Sequence, residues 1–305
     1  MTKSQQPSLT IIVLTFNSAH IIKSCLEKLN FEKYKIIVVD NASRDNTAEF
    51  VQNNFPQAQL IKLPKNIGYG SGNNVALRQV QTEFALVLNP DAIILEKDIE
   101  LVLNEMRKNP LAALAGPVVL KQYPLDQNEL KKRAEEMEQD FSTIKDCYYE
   151  KIDGNFSVRF IIGAALFLKI SAFKEIGFFD ENFFLYYEDD EFCGRVREKR
   201  YQNIIVPNAT AFHLEGKSSQ ISLKTIYKKG WHLSWSKMYW KKIRKGNLRA
   251  KRSAFKFVFV YFVKSLFCAL KADLENFITN IGKLCGAFSF LIGLKSFKKN
   301  GSSRG

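Results

Sequence analysis

The sequence LTIIVLTF, Leu9 to Phe16, is an uninterrupted apolar run of strand length that is rich in β-branched residues. A strand covered on both faces has such a run, whereas a strand with one face in water alternates apolar and polar residues. Asn17-Ser18 can cap a helix, and a helix is predicted over Ala19 to Leu29. The stretch therefore predicts a buried strand that leads into a helix.

The same strand–helix unit recurs along the first part of the chain. Further strands are predicted at Tyr34 to Val39, Gln59 to Leu63 and Phe84 to Leu88, and the intervening helices end at Phe55 and span Val75 to Gln81. Strands that alternate with helices over about 110 residues are typical of a parallel α/β sheet. In open sheets of this kind, ligands bind beyond the carboxyl ends of the strands.

Polar residues follow each of these four predicted strands. The sets are Thr15-Phe16-Asn17, Asp40-Asn41, Asn66 to Asn74 and Asn89-Pro90-Asp91. Each set alone is compatible with an ordinary turn or cap, but four sets at successive strand ends predict a ligand site. The third set, NIGYGSGNN, resembles a phosphate cradle without the Lys-Ser/Thr of a P-loop. Asp91 is suited to hold a divalent cation that in turn holds a diphosphate.

The alternation of strands and helices is interrupted at residues 121–154, which are interpreted as an insertion with a charged surface helix from Leu130 to Ile144. It resumes with the apolar run Arg159 to Lys169, where Gly163-Ala164-Ala165 would let a backbone or a ligand come close. A further strand is predicted at Asn203 to Val206, followed by a loop that contains His213.

The stretch FFLYYEDDE, Phe183 to Glu191, leads from aromatic residues straight into four carboxylates, and basic residues follow it. One interpretation is a helix start, because acidic residues in the first turn and basic residues in the last turn both complement the helix dipole. Glu191 and Arg195 also have the supportive i,i+4 spacing. The other interpretation is an active site, because a carboxylate beside apolar surface can be poised as a general base.

The net charge of +14 is concentrated at one end of the chain. Residues 224–305 contain 19 Lys and Arg and two acids, a balance of +17, whereas residues 1–223 contain 26 and 29, a balance of −3. The chain is therefore divided into a near-neutral domain, residues 1–223, and a basic, aromatic-rich helical region, residues 224–305.

The basic region mixes aromatic and cationic residues over Tyr227 to Lys245 and is dominated by Phe, Val and Leu over Ser253 to Leu270. A strand is possible in the second part, but its length and composition favour a helix. Basic amphipathic helices lie in the headgroup region of anionic bilayers. The alternatives are a solvated basic face over the protein's own core, and a nucleic-acid-binding surface.

The location expected from the sequence is cytoplasmic. Five cysteines without a CxxC pair fit a reducing compartment better than a disulfide framework. Met1 to Ser8 lacks a hydrophobic signal core. The longest uncharged apolar run near the end, Leu284 to Leu294, is too short to span a bilayer.

Seven motifs occur in the order found in family 2 glycosyltransferases of the GT-A fold: TFN, VVDNAS, N-x-G-x-G-x-x-N, LNPD, GA-x-x-x-L, GFFDE-x-FF-x-YYEDD and A-x-H-x-x-x-x-SS. The chain resembles this family over residues 9–219, and in particular its bacterial rhamnosyltransferase-like members. The resemblance implies a Rossmann-like, mostly parallel sheet with flanking helices. It further implies a nucleotide-sugar half, about 1–120, and an acceptor half, about 155–223, on either side of the insertion.

The resemblance also implies roles for individual residues. The base and ribose would be bound by Thr15, Phe16, Asn17 and Asp40, and the rest of the nucleotide-sugar by Asn66, Gly68, Asn73, Asn89 and Asp91. Asp91 and His213 would hold the metal. Asp189 would be the catalytic base, with Glu188 beside it, and Gly163, Ala164, Tyr187 and Asp190 would bind the acceptor. Two positions depart from the family pattern: Glu191 replaces an aspartate, and Ala76 replaces a glycine.

The implied activity is an inverting transfer that depends on Mg²⁺ or Mn²⁺. The donor would be a nucleoside-diphosphate sugar, with rhamnose as the sugar that the resemblance suggests, and the acceptor a lipid-linked glycan of cell-surface polysaccharide synthesis. The enzyme would lie on the inner face of a bacterial cell membrane, attached through residues 224–305. Two alternatives belong to other classes: a membrane-attached scaffold with a decayed transferase site, and a basic nucleic-acid-binding protein.

Overall fold

A computed structural model describes residues 7–120, 150–152, 155–213 and 222–296. The predicted helix at 130–144 and the loop at 214–219 lie outside these ranges. The chain forms two compact units. The first comprises Met1–Leu63, Asn73–Phe178 and Phe192–Ser219, and the second comprises Pro64–Gly72, Phe179–Glu191 and Gln220–Gly305.

The first unit is built on one sheet, which in the described residues has ten strands in the order β3-β2-β1-β4-β9-β6-β10-β8-β7, with β5 paired to β10. Neighbours β3-β2, β2-β1, β1-β4 and β6-β10 are parallel, and β9 is antiparallel to β4 and β6. The strands are β1 (Leu9–Thr15), β2 (Lys35–Asp40), β3 (Gln59–Lys62), β4 (Phe84–Leu88), β5 (Ala92–Ile94), β6 (Ala112–Leu120), β7 (Glu150–Ile152), β8 (Asn155–Ser157), β9 (Ala165–Lys169) and β10 (Gln202–His213).

The predicted α/β sheet is confirmed, and its first strand shows why the prediction succeeds. Every residue of β1 is buried: β2 and β4 flank it in the sheet, and Leu9, Ile11 and Val13 share a core cluster with residues of the flanking helices. Burial on both faces selects apolar side chains throughout. The flanking helices are α1 (Ile22–Leu26), α2 (Thr47–Asn54), α3 (Tyr69–Leu77), α4 (Glu96–Lys108), α5 (Ile170–Ile176) and α6 (Glu188–Glu198).

Helix α3 begins inside the glycine-rich set, six residues before the helix start predicted at Val75. The helix starts at Tyr69, directly after Gly68, whose φ of +92° favours glycine. A Cβ on Gly70 would lie 3.0 Å from Phe179 Cβ and 3.6 Å from Glu188 Cβ. Close packing therefore requires the small residues that lower the intrinsic helix propensity of this segment.

Strand β10 is much longer than the predicted strand at Asn203 to Val206. Its register against β6 shifts between Val206 and Thr210, and this irregularity accommodates Pro207. Beyond it, residues 211–213 pair antiparallel with β5. The prediction that His213 lies in a loop was therefore wrong, since His213 is the last residue of a strand and lies opposite Ala92.

The second unit contains the helices α7 (Leu223–Lys245), α8 (Asn247–Leu270) and α9 (Leu274–Leu291), as predicted for a helical C-terminal region. The segment Ser253 to Leu270, for which a strand was considered, is helical. Helices α7 and α9 approach so closely that a Cβ on Gly286 would lie 2.1 Å from Trp231 O. Their core is formed by Trp231, Trp235, Met238, Ala250, Ala254 and Phe290.

Helix α8 has the length and composition to cross a membrane, and among the described helices it alone does. The apolar run that was judged too short to span a bilayer, Leu284 to Leu294, lies outside α8, whose own apolar run is interrupted by Lys256 and Lys264. The helix is mostly exposed. Its exposed apolar stripe consists of Phe255, Phe259, Phe262, Leu266 and Leu270.

Candidate functional site

The ends of β1 and β2 bring Thr15 and Asp40 side by side, because the two residues pair in the parallel register. Asp40 Oδ2 accepts a hydrogen bond from Ser43 N at 3.1 Å. Asp40 Oδ1 and Thr15 Oγ1 are buried and have no hydrogen-bond partner within the described residues. Buried polar atoms normally find a partner, so both atoms are available to a ligand.

The loop after β1 uses Asn17 to hold its own shape. Asn17 has a φ of +54°, its Oδ1 accepts from Arg44 N at 2.7 Å, and its N donates to Ser43 Oγ at 2.9 Å. The preceding Phe16 is 38% exposed, which is unusual for a large aromatic side chain at the end of a buried strand. The loop therefore presents a planar apolar surface next to the polar atoms of Thr15 and Asp40.

The end of β4 brings Asn89 and Asp91 next to His213, because β5 pairs with the end of β10. His213 Nε2 lies 3.2 Å from Asp91 Oδ1 and 3.3 Å from Asn89 Nδ2. Asp91 is 3% exposed. Although His213 is at ion-pair distance, Asp91 Oδ1 accepts no hydrogen bond of good geometry from the described residues. This oxygen is a second buried carboxylate atom available to a ligand.

Asp91 and His213 offer one oxygen and one nitrogen to a divalent cation, a donor pair that suits transition ions such as Mn²⁺. Within the part of the chain that the structure describes, no group of three His, Cys, Asp or Glu side chains could hold a metal. The residues therefore fit a cation whose remaining ligands come from substrate oxygens and water.

Cys25 supports the turn after β4 and was not singled out by the sequence. Its Sγ donates to Asn89 O at 3.6 Å. Burial, and next the negative charge of Asp91, raise the pKa of the thiol. Cys25 therefore stays protonated and acts as a small buried donor beneath the turn.

In the second unit, residues 180–191, called the carboxylate stretch below, lead into α6. The chain enters this helix through two consecutive residues with a left-handed backbone conformation. Tyr186 and Tyr187 both have a φ of +69°. Such conformations of non-glycine residues cost roughly 1–3 kcal/mol each and persist where the surroundings enforce them. The helix then begins at Glu188 with four acids in its first turn, so the interpretation as a helix start is confirmed.

The two carboxylates of the predicted catalytic pair have different environments. Glu188 is 5% exposed, and burial, together with the negative charge of Asp189, raises its pKa to about 8. Asp189 is half-buried, and its Oδ1 accepts from Asp190 N at 2.9 Å. Burial, and next the charge of Glu188, raise the pKa of Tyr186 to about 12. Because the pKa of Glu188 is raised to about 8, Glu188 carries a proton at neutral pH.

The structure gives Gly68 a structural contact with the carboxylate stretch. Gly68 N donates to Asn66 Oδ1 at 3.0 Å. A Cβ on Gly68 would lie 2.4 Å from Phe184 O, which accepts from Tyr69 N at 2.8 Å. The glycine-rich set thus supports the backbone just before Leu185.

The remaining predicted residues are distributed over both units. In the first unit, Asn73 is buried in α3, Gly163 is buried before β9, and Ala164 O accepts from Asn89 N at 2.9 Å. In the second unit, Tyr187 and Asp190 are half-buried.

Sequence reasoning missed the residues of α7 that contact the carboxylate stretch. Ser236 Oγ donates to Leu185 O at 2.8 Å, and Tyr239 Oη donates to Asp180 Oδ2 at 3.1 Å. Beyond α9, Ser296 Oγ donates to Asn182 O at 2.6 Å. The aromatic and basic composition of α7 predicts contact with a membrane. No local sequence pattern indicates a contact between residues this far apart in the chain.

Comparison with known proteins gives consistent similarities. The sequence model of the family described as "Glycosyl transferase family 2" matches residues 10–177. The low-salt glycan biosynthesis hexosyltransferase Agl10 of Haloferax volcanii is 27% identical over 195 residues, which cover 63% of this chain and 62% of the relative. The N-acetylglucosaminyl-diphospho-decaprenol L-rhamnosyltransferase of Mycobacterium tuberculosis is 20% identical over 237 residues, which cover 69% and 77% of the two chains.

A solved structure shows the same fold. It is the mannosyltransferase PcManGT from Pyrobaculum calidifontis in complex with GDP-Man and Mn²⁺. The similarity has a TM-score of 0.55 at 16% identity and covers 95% of this chain and 88% of that chain. The likeness shows the GT-A fold that the motifs predicted.

Proposed function

Because the chain belongs to glycosyl transferase family 2, we propose that it moves a sugar from a nucleoside-diphosphate sugar to a glycan hydroxyl with inversion at the anomeric carbon. One observation carries the proposal. Asp40 Oδ1 and Asp91 Oδ1 are buried carboxylate oxygens at the strand ends of one sheet, and neither accepts a hydrogen bond from the described residues. Ligands of open α/β sheets bind at these ends.

The donor nucleotide is proposed to bind along the ends of β1 and β2. Asp40 Oδ1 would accept from a ribose hydroxyl, Thr15 Oγ1 would contact the nucleoside, and the exposed ring of Phe16 would stack on the base. Asn17 holds this loop in place. Asn66, Gly68, Asn73 and Asn89 are proposed to follow the rest of the donor.

A divalent cation, Mg²⁺ or Mn²⁺, is proposed to be held by Asp91 and His213. The cation would neutralise charge that develops on the diphosphate leaving group. The buried oxygen of Asp91 supports this role, because carboxylate oxygens are preferred ligands of both ions.

Asp189 is proposed to act as the general base. It would accept the proton of the acceptor hydroxyl while the hydroxyl oxygen bonds to the anomeric carbon and the bond from that carbon to the diphosphate oxygen breaks. Glu188, whose pKa is raised to about 8, carries a proton at neutral pH and would therefore not add a second charge beside Asp189. Tyr187 and Asp190, with Gly163 and Ala164, are proposed to contact the acceptor.

The acceptor is proposed to be a lipid-linked saccharide, and rhamnose is the proposed sugar. The name of the M. tuberculosis relative states both properties for that protein. The catalytic domain is proposed to span residues 1–223, with residues 224–305 attaching it to the inner face of the cell membrane. The exposed apolar stripe of α8, beside the exposed cations Arg252 and Lys256, suits an anionic bilayer surface.

Calorimetry and turnover with the full chain test the donor site. We expect a nucleoside-diphosphate sugar to bind in the presence of Mn²⁺ and Asp91→Asn to weaken binding by roughly 10-fold or more. Asp98→Asn is the matched control, because Asp98 is also buried in the first unit but its Oδ1 already accepts from Thr210 N at 3.0 Å. Equal donor affinity of wild type and Asp91→Asn, with and without Mn²⁺, would contradict the proposal.

A further inference from the structure

Helix α7 holds the carboxylate stretch in place through several contacts, all within the second unit. They begin before the two left-handed tyrosines and end after them. Membrane attachment, the role proposed above for residues 224–305, does not explain these contacts. The α7 side chains involved are His232, Ser236, Tyr239, Trp240 and Arg244.

On the N-terminal side of the left-handed pair, the contacts fix both backbone and rings. Ser236 is fully buried, and its Oγ donates to Leu185 O at 2.8 Å. Tyr239 Oη donates to Asp180 Oδ2 at 3.1 Å, and its ring meets the buried ring of Phe183 edge to face with centroids 5.0 Å apart. The position of Leu185 is therefore set by α7 immediately before the chain turns.

On the C-terminal side, α7 contacts the first turn of α6. Arg244 Nη2 donates to Glu191 O at 2.8 Å, and the ring of Trp240 lies 6.1 Å from that of Tyr187. Glu191, the residue that departs from the family pattern, is 3% exposed. Contacts on both sides leave little freedom for the residues between Leu185 and Glu191, which include Asp189.

We infer that two residues of α7, Ser236 and Tyr239, are positioning residues for Asp189. The inference rests on the proposed role of Asp189 as the base. Left-handed tyrosines persist only when their surroundings enforce them, and Ser236 and Tyr239 supply that enforcement. The direction in which Asp189 leaves the helix follows from the path of residues 185–188.

Steady-state kinetics of Ser236→Ala and Tyr239→Phe in the full chain test the inference. Both changes remove a hydroxyl and keep most of the packing. We expect kcat for transfer to fall roughly 10-fold to 100-fold, since small misplacements of a catalytic group cost this much. The donor KM should stay unchanged, because neither residue belongs to the proposed donor site.

Two variants on the same helix serve as matched controls. Ser234→Ala removes a buried hydroxyl that has no hydrogen-bond partner within the described residues. Tyr227→Phe removes a hydroxyl whose hydrogen bond is to Cys285 rather than to the carboxylate stretch. Both controls should keep wild-type kcat. Thermal unfolding of all four variants gives the folded fraction for each measurement.

The possible outcomes separate this inference from the proposed function. Wild-type kcat in Ser236→Ala and Tyr239→Phe, together with an inactive Asp189→Asn, overturns the positioning role and leaves the base assignment intact. An active Asp189→Asn refutes the base assignment itself. A kcat that falls only in proportion to the folded fraction, or equally in the controls, shows a structural role and overturns the inference. A selective fall in kcat with normal folding supports it.

Discussion

The raised pKa of Glu188 makes a strong prediction about how stability depends on pH. In the unfolded chain a glutamate titrates near 4.5, whereas burial and the charge of Asp189 raise the pKa of Glu188 to about 8 in the folded state. Between these values the folded protein binds the extra proton, so stability falls as pH rises from about 4.5 to about 8. At 1.36 kcal/mol for each pKa unit, the full loss is up to about 5 kcal/mol.

Glu188→Gln removes this ionisation while keeping the size of the side chain. We expect it to match wild type near pH 4.5 and to be more stable by several kcal/mol near pH 8.5, where Glu188 must ionise in the wild type. Urea unfolding of both proteins at the two pH values measures the difference. The variant also removes one of two adjacent carboxylates, so it shows whether Asp189 alone supports turnover.

Glu96→Gln is the control for a carboxylate at the surface. Glu96 is 42% exposed and pairs with Lys33 at 2.7 Å. Surface ion pairs contribute about 0–1 kcal/mol, so this variant should show the pH dependence of the wild type. If the stability of Glu188→Gln and that of the wild type changed in parallel across this pH range, the conclusion that Glu188 is buried and protonated in the folded state would be refuted.

Three further predictions concern catalysis, packing and membrane attachment. Asp189→Asn should lower turnover by roughly 10²-fold to 10⁴-fold, while calorimetry should show that donor affinity is retained. Near-normal turnover of this variant would refute the assignment of Asp189 as the general base. Gly286→Ala should destabilise the chain by about 1–3 kcal/mol or more in urea unfolding, because the added Cβ would lie 2.1 Å from Trp231 O. An unchanged urea midpoint would contradict the close packing of α7 and α9. The double change Phe255→Asp and Phe259→Asp should release the protein from anionic vesicles in a sedimentation assay, since both rings are more than 60% exposed on the α8 stripe; continued sedimentation would argue against this stripe as the attachment surface.

The parallel sheet could be predicted from the sequence because burial on both faces leaves a direct pattern in the residues. The apolar run from Leu9 shows this pattern. The grouping of Thr15 with Asp40 follows in turn, because parallel strands place their carboxyl ends at one edge of the sheet. Local composition and topology together were therefore sufficient to place these two residues side by side.

Features that depend on distant contacts could not be predicted in the same way. Gly70 lowers helix propensity locally, yet it lies in a helix because its neighbours in space leave no room for a side chain. The strand predicted at Asn203 to Val206 stops before Pro207, yet β10 continues past this residue with a shift of register. Ser236 reaches Leu185 across 51 residues of sequence. These outcomes depend on tertiary packing that overrides local preference.

The bond from Ser296 to Asn182 affects how a shortened version of this protein would behave. Removing residues 224–305 to improve solubility would delete the α7 side chains that contact the carboxylate stretch, together with Ser296. Loss of activity after such a deletion would not demonstrate a need for the membrane, and added lipid or detergent would not restore it. Surface substitutions on α8 that leave α7 and Ser296 intact are the way to study attachment separately from catalysis.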